Sequence, residues 1–169
     1  AVQVHGEISR LIADLRPVLL DTLGLVPAIR KYAEVNLRPL GINVLVETKG
    51  NEQRLPSEVE AGLFRFAQGA IGNIAQHSRA KNTTILLEFG DDELLVRIRD
   101  DGVGFDVSKI TGVEEGGRGR GVFSMKERVA LLGGACKIES QPGQGATVQA
   151  RVPISRGAEN AENKSFGSR

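Results

Sequence analysis

The sequence DDGVGF at residues 100–105 follows directly on residues 93–99, in which apolar and polar side chains alternate as they do in a β-strand. Glycines at alternate positions allow the backbone to approach a flat ligand, and Asp100 is placed to accept a hydrogen bond from an exocyclic amine. Taken alone, a match of this length is equally well explained by a glycine turn that ends a strand. The stretch therefore indicates a ligand-binding turn only if other parts of the chain agree with it.

A helix predicted over residues 58–77 is the first of these parts. Its apolar residues lie along one face, and Asn73 falls within this apolar stretch. A side-chain amide in such surroundings needs a polar partner. The plainer interpretation of Asn73, taken by itself, is a surface or helix-terminal asparagine.

A glycine-rich segment is the second. The sequence GGRGRG at residues 116–121 places Arg118 and Arg120 between glycines, immediately before a predicted helix. Free backbone amides, a helix dipole and two cations together suit a phosphate group, whereas the alternative is a flexible loop with solvated arginines. The P-loop sequence occurs nowhere in the chain, and the glycines follow a long loop instead of the strand that a dinucleotide fingerprint requires.

The order of the predicted elements gives the fold class. Helical patterns cover residues 7–15, which end before Pro17, and residues 21–37, 58–77 and 122–132. Strand patterns cover residues 42–47, 83–89, 93–99, 135–140 and 147–154, and residues 100–121 form a long irregular loop. We predict an α+β fold, a two-layer α/β sandwich with a mixed, mainly antiparallel sheet and helices on one face.

Composition limits the remaining possibilities. The chain has 169 residues, and its 22 basic residues nearly balance its 21 acidic ones, so no overall field favours nucleic acid as a partner. Cys136 is the single cysteine, which excludes an internal disulfide. No apolar run approaches the ~20 residues of a membrane helix. We predict a cytoplasmic location, whether or not the parent protein is anchored in a membrane.

Together these motifs resemble the ATP-binding catalytic domain of sensor histidine kinases, in the superfamily that also includes gyrase, Hsp90 and MutL. The resemblance spans nearly all of residues 8–154 and rests on four segments. FRFAQ at 64–68, continued through Asn73 and His77, is similar to the family's N box, and residues 100–105 match its G1 box. GRGVFSMKERV at 119–129 is similar to the G2 box with the lid helix, and PGQG at 142–145, continued through Pro153, to the closing hairpin. The segments LRP at 15–17 and LGLVPA at 23–28 resemble the subfamily that partners LuxR-type response regulators. The implied fold is the Bergerat ATP-binding fold.

The resemblance also implies roles for individual residues, with ATP and Mg²⁺ as cofactors. It assigns Asn73 to a magnesium ion that bridges the ATP phosphates, and Asp100 to the adenine amine. The other residues it places at the nucleotide are the adenine-facing turn (Gly102, Gly104, Phe105), a phosphate contact (His77), the lid (Arg118, Gly119, Arg120, Gly121, Val122) and a partner of Asp100 (Thr147).

Two positions depart from the family pattern. Gly69 stands where members commonly carry an acid four residues before the asparagine, and related ATPases use that acid to activate water. Gln76 replaces the usual Lys or Arg three residues after the asparagine, which predicts weaker phosphate binding. No catalytic side chain is therefore assigned.

The phosphoacceptor histidine is also missing, since His5 lies too close to the Arg-Pro segment and precedes Gly6 instead of an acid. We expect residues 1–16 to end a dimerisation and phosphoacceptor helix, residues 17–155 to form the catalytic domain with a lid at about 105–121, and residues 156–169 to be a disordered tail.

The expected function is transfer of the ATP γ-phosphate to a histidine on the dimerisation domain of the same kinase. The expected partners are that domain and a response regulator with LuxR-type output, with a homodimer for the full-length protein and a monomer for the fragment. The alternative is a degenerate, ATP-sensing module without phosphotransfer. A serine kinase of the anti-sigma-factor type fits residues 23–28 and the preceding helix less well.

Overall fold

A computed structural model describes residues 16–110 and 120–154. The helices are α1 (Arg16–Leu23), α2 (Leu25–Leu37), α3 (Ser57–Asn73) and α4 (Arg120–Leu131), and the strands are β1 (Asn43–Gly50), β2 (Asn82–Phe89), β3 (Glu93–Asp100), β4 (Ala135–Ser140) and β5 (Ala146–Pro153). Short 3₁₀ turns occupy Arg38–Leu40 and Val107–Lys109, and a π-helical turn, Ile74–Ser78, continues α3.

The strands form one five-stranded sheet in the order β1-β2-β3-β5-β4. Strand β1 pairs with β2 in parallel, and the other three pairings are antiparallel. Helices α2, α3 and α4 pack against the same face of this sheet, and a single apolar core lies between the two layers. Its fully buried side chains include Phe66, Ile71, Ile85 and Val96. The predicted two-layer α+β fold is confirmed.

The helix predicted over residues 21–37 is wrong in one respect, because the structure divides it. Gly24 lies between α1 and α2 with φ of 86°, a left-handed conformation that interrupts a helix and that glycine adopts without strain. Helix α1 also includes Pro17, before which the predicted pattern stopped. A proline fits the first turn of a helix, because the amide it lacks has no helical partner there.

Several predictions concern parts of the chain outside the described residues. These are the helix over 7–15, the disordered tail at 156–169 and most of the lid, residues 111–119. Among the described helices, none combines the length and the apolar character that crossing a bilayer requires.

Candidate functional site

Asp100 ends β3 with its carboxylate turned toward the helices and only 6% of its surface exposed. The backbone N–H of Gly102 donates to Oδ1 at 2.8 Å, and the backbone N–H of Ala146 also donates to the carboxylate. Burial raises the pKa of Asp100, the two backbone bonds oppose the shift, and the charge of Asp101 adds to it. The result is a desolvated acceptor with lone pairs left for a ligand.

The adjacent carboxylate of Asp101 has a different environment. It is exposed, and it accepts hydrogen bonds from the backbone N–H groups of Lys81 and Asn82 at 2.8 and 2.9 Å and from Asn82 Nδ2 at 2.7 Å. The side-chain and backbone bonds of Asn82 lower the pKa of Asp101. Asp101 therefore fixes the start of β2, and Asp100 is the carboxylate left for ligand recognition.

The turn after Asp100 packs against other parts of the backbone. A Cβ at Gly102 would lie 2.2 Å from the carbonyl oxygen of Ser78, and one at Gly104, where φ is 59°, would lie 2.1 Å from that of Gln141. The N–H of Val103 donates to the same Ser78 carbonyl at 2.7 Å. The close contacts that require glycine here are thus contacts between backbone segments of the protein.

The loop between β4 and β5 holds the other side of this turn. Phe105 N–H donates to Ser140 Oγ at 2.9 Å, and that hydroxyl donates to the carbonyl of Gly145 at 2.7 Å. Gly143 N–H donates to the carbonyl of Val103 at 2.6 Å. Because three segments distant in sequence are bonded together here, the surroundings of Asp100 are rigid before any ligand arrives.

Asn73 lies at the carboxyl end of α3, where the first turn of α4 meets it. A Cβ at Gly121 would lie 3.2 Å from Asn73 Oδ1, so the N-terminal backbone of α4 lies directly against this amide. The Asn73 side chain makes no hydrogen bond with any other residue that the structure describes. A free amide oxygen beside the first turn of a helix fits a magnesium ion bound to phosphates, since Mg²⁺ takes most of its ligands from water and phosphate.

A cleft of about 300 Å³ opens beside Asn73, between α2, α3 and α4. Among the residues that the structure describes, the lining is cationic and polar and contains no Asp or Glu. It consists of Tyr32, Arg65, Gln68, Gly69, Gly121, Ser124, Met125 and Arg128. The cleft does not reach Asp100, and Gly121 is the lining residue that connects it to Asn73.

Gly69 has a structural explanation within this cleft. A Cβ there would lie 3.1 Å from Cγ of Met125, a buried residue of α4. A side chain at residue 69 would therefore require Met125 to shift, and glycine lets α4 pack closely on α3.

The remaining residues of the predicted nucleotide-binding set are placed as follows. His77 and Gln76 are exposed in the π-helical turn, and Val122 packs against the core. Arg118, Gly119 and the side chain of Arg120 lie outside what the structure describes.

Thr147 is not brought to Asp100. The β3–β5 register pairs Thr147 with Arg99 and Ala146 with Asp100, so the Thr147 side chain lies on the opposite face of the sheet from the carboxylate. The predicted side-chain bond is replaced by the backbone N–H of Ala146, one residue earlier.

Sequence reasoning missed Thr83, Ser78 and Met125. Thr83 pairs directly with Asp100 across β2 and β3, Ser78 receives the glycine turn, and Met125 covers Gly69. Strand register and helix packing bring these residues to the site, and no local pattern in the sequence carries that information.

The fold and these contacts define an α/β nucleotide-binding domain with a desolvated carboxylate at Asp100 and an unbonded side-chain amide at Asn73. The model of the histidine kinase-, DNA gyrase B- and HSP90-like ATPases matches residues 58–156, more than half of the chain, and the chain belongs to this family. The family predicted from the motifs is confirmed.

Individual relatives agree with this assignment. The chain is 37% identical over 149 residues to the signal transduction histidine-protein kinase/phosphatase DegS of Brevibacillus brevis, covering 88% of this chain and 37% of that protein. It is 33% identical over 159 residues to the oxygen sensor histidine kinase NreB of Staphylococcus carnosus, covering 90% of this chain and 45% of that one. The chain thus spans less than half of these relatives.

A solved structure supports the fold. The histidine kinase domain of the blue-light activated histidine kinase EL346 from Erythrobacter litoralis superposes with a TM-score of 0.59 at 18% identity, covering 77% of this chain and 61% of that domain.

Proposed function

We propose that this chain is the ATP-binding catalytic domain of a two-component sensor histidine kinase. The observation that carries the proposal is the cleft beside Asn73, whose lining among the described residues includes Arg65 and Arg128 and no carboxylate. Such a cleft favours anions and offers no base for activating water. Transfer of a phosphoryl group to an incoming nucleophile suits it better than hydrolysis.

The adenine base and the phosphates of the nucleotide bind to different parts of the site. Asp100 accepts a hydrogen bond from the adenine amine, and the N–H groups at the start of α4 receive the phosphates. Asn73 Oδ1 would hold a magnesium ion, which would supply neutralisation of phosphate charge when bound.

The proposed reaction is an in-line displacement. An imidazole nitrogen of the acceptor histidine forms a bond to the γ-phosphorus, the bond from that phosphorus to the β–γ bridging oxygen breaks, and ADP leaves with the electron pair. The imidazole proton passes to water or to an acid beside the acceptor. Imidazole is largely neutral near pH 7, so this nucleophile does not need a base at residue 69.

The partners follow from this reaction. The acceptor histidine belongs to a dimerisation domain of the same kinase, and the phosphoryl group passes on to a response regulator with LuxR-type output. The full-length protein acts as a homodimer, with this domain on the cytoplasmic side where ATP is available. The similarity to the histidine kinases DegS and NreB, over 88% and 90% of this chain, supports the assignment to a kinase that acts on a histidine.

An ATP-sensing module without phosphotransfer is the second candidate, and the position of Gly121 favours it. The first turn of α4 lies against Asn73, so a nucleotide bound at Asn73 also contacts α4 and couples its position to nucleotide occupancy. A change in the position of α4 would move a partner without any chemistry.

Radiolabelled ATP separates the two candidates. The full chain alone should show neither self-phosphorylation nor measurable hydrolysis, and it should label the dimerisation domain of its own parent protein when that domain is added. The Asp100→Asn chain, added in the same way, should transfer little label at subsaturating ATP. Binding of ATP without labelling of the acceptor would support the sensing module, and rapid hydrolysis by the unmodified chain would contradict the argument from the carboxylate-free cleft.

A further inference from the structure

Thr83 is a buried residue whose hydroxyl the fold does not use. It lies on β2 and is 1% exposed, and its Oγ1 has no hydrogen-bond partner among the described residues. Most other buried polar side chains near it are bonded, as Ser78 Oγ is to the carbonyl of Ile74 at 2.8 Å. Because a buried hydroxyl without a partner destabilises a protein, its presence needs an explanation.

The position of Thr83 suggests one. In the antiparallel register Thr83 is directly opposite Asp100, and Asp100 is directly opposite Ala146. Side chains that face each other across adjacent strands lie on the same side of the sheet, with Cβ atoms about 5 Å apart. The unused hydroxyl and the desolvated carboxylate therefore stand side by side, facing the helix layer.

The two groups have complementary hydrogen-bonding capacity. A carboxylate only accepts, whereas a threonine hydroxyl also donates. The edge of adenine pairs an amine, which donates, with ring nitrogens on either side, which accept. An acceptor and a donor carried by side chains whose Cβ atoms are about 5 Å apart reach such an edge, either directly or through one bridging water.

We infer that the Thr83 hydroxyl is a second base-reading group, which donates to a ring nitrogen flanking the amine that Asp100 binds. This inference rests on the proposed adenine site and adds a specificity-determining residue to it. Ala146 on the other neighbouring strand carries no polar side chain, so Thr83 is the side-chain hydroxyl in this row of the sheet.

Substitution of Thr83 has a matched control on the same strand. Thr83→Val preserves shape and removes the hydroxyl, and Thr83→Ser keeps the hydroxyl. Thr84→Val makes the same change one residue later, where the side chain pairs with Arg99 on the other face of the sheet. Titration calorimetry with Mg-ATP on the full chain should show affinity about five- to tenfold weaker for Thr83→Val and about unchanged for the other two.

Denaturant unfolding without nucleotide should show Thr83→Val at least as stable as the parent chain, because an unpaired buried hydroxyl has been removed. A weaker affinity in that variant then reflects the lost contact and not unfolding.

Two ATP analogues identify the contact. In 1-deaza-ATP and 7-deaza-ATP a C–H replaces one of the ring nitrogens that flank the amine. The effect of Thr83→Val should disappear with one of the two analogues and persist with the other. An equal effect with both, or an ATP affinity within about twofold of the parent chain, would overturn the assignment of Thr83.

The controls also separate this inference from the proposed function. If the parent chain binds no ATP, the proposed function itself fails. If the parent chain binds ATP and Asp100→Asn weakens it while Thr83→Val does not, the adenine site stands and only the role of Thr83 is wrong.

Discussion

The two ends of the candidate site are built in different ways. Around Asp100, backbone segments from β3, the π-helical turn and the β4–β5 loop are hydrogen-bonded to one another, and glycines allow contacts that a Cβ would prevent. Around Asn73, helices α3 and α4 pack on each other. Gly121 lies against the Asn73 amide, and Met125 lies against Gly69. The first end is preorganised, whereas the second is formed by how α4 packs on α3.

This difference matches what each end has to do. Adenine has the same shape in ATP and ADP, so its pocket can be rigid at no cost to turnover. The phosphate end must admit a triphosphate, expose its terminal group to an acceptor and release a diphosphate. Helix packing through side chains adjusts more readily than a hydrogen-bonded backbone network. The tests below compare matched variants at each of the two ends.

The largest effect is expected from glycine substitutions in the β4–β5 loop. Gly145 and Gly143 both have positive φ, 72° and 80°, but a Cβ at Gly145 would lie 2.1 Å from the carbonyl oxygen of Asp100 while one at Gly143 meets nothing within 4 Å. Gly145→Ala should lose about 3 kcal/mol or more of unfolding free energy, and Gly143→Ala about 1 kcal/mol from backbone strain alone. Chemical denaturation measures both. Equal losses would mean that the adenine end is not held by close backbone packing.

A smaller effect, on affinity, is expected at the two adjacent carboxylates. Asp100→Asn should weaken ATP binding by about 1.5 to 3 kcal/mol, because a hydrogen bond to a buried charged acceptor is lost. Asp101→Asn is the matched control, because that carboxylate is bonded to Lys81 and Asn82 instead. It should lower stability and leave ATP affinity nearly unchanged, as calorimetry and unfolding on the same samples would show. If Asp101→Asn weakened ATP binding as much, the assignment of the adenine contact would be mistaken.

The raised pKa of Asp100 adds a pH dependence to this pair. Because the folded state holds its proton more tightly than the unfolded state, the stability that Asp100 contributes is fully present below the ordinary value of 3.8 and is lost as pH rises through the raised pKa. Asp100→Asn cannot ionise, so its stability relative to the parent chain should increase as pH rises from 3.8 through that window. A difference that does not change with pH would show that the carboxylate is not desolvated.

Local sequence patterns predicted the helices and strands whose formation depends on residues close together in the sequence. The alternating runs became β2 and β3 within a residue of their predicted ends, and the apolar stripe before Asn73 became α3. The helix break at Gly24 was missed because apolar periodicity continues across it, and a single glycine inside a helical pattern does not show whether its φ will be positive. Strand β1 extends to Gly50 through polar residues because parallel pairing with β2 continues that far.

The site was predictable only where one short segment contains it. Asp100 and its glycines are contiguous, so the sequence identified them together. The Thr147 error and the omission of Thr83 have a common cause, since both depend on which residues of neighbouring strands face Asp100. A shift of one residue in register moves a side chain to the other face of a sheet, and composition does not fix that register.

The smallest effect is expected where α4 packs on α3. Gly69 and Gly72 both lie inside α3, where alanine favours the helix by about 0.5 to 1 kcal/mol over glycine. A Cβ at Gly72 meets nothing within 4 Å, whereas one at Gly69 would lie 3.1 Å from Met125 Cγ. Gly72→Ala should therefore gain nearly the full helix preference, and Gly69→Ala should gain less by up to about 1 kcal/mol, because Met125 must shift.

Hydrogen exchange of the α4 amides tests whether the contact of Met125 with Gly69 holds α4 against α3. If Met125 on Gly69 holds α4 in place, Gly69→Ala should speed exchange of the α4 amides, and Gly72→Ala should leave them unchanged. The same variants should hydrolyse ATP no faster than the parent chain, since neither adds a base. Identical stability gains and identical α4 exchange in the two variants would show that α4 is held elsewhere, and the absence of an acid at residue 69 would then need an explanation other than close helix packing.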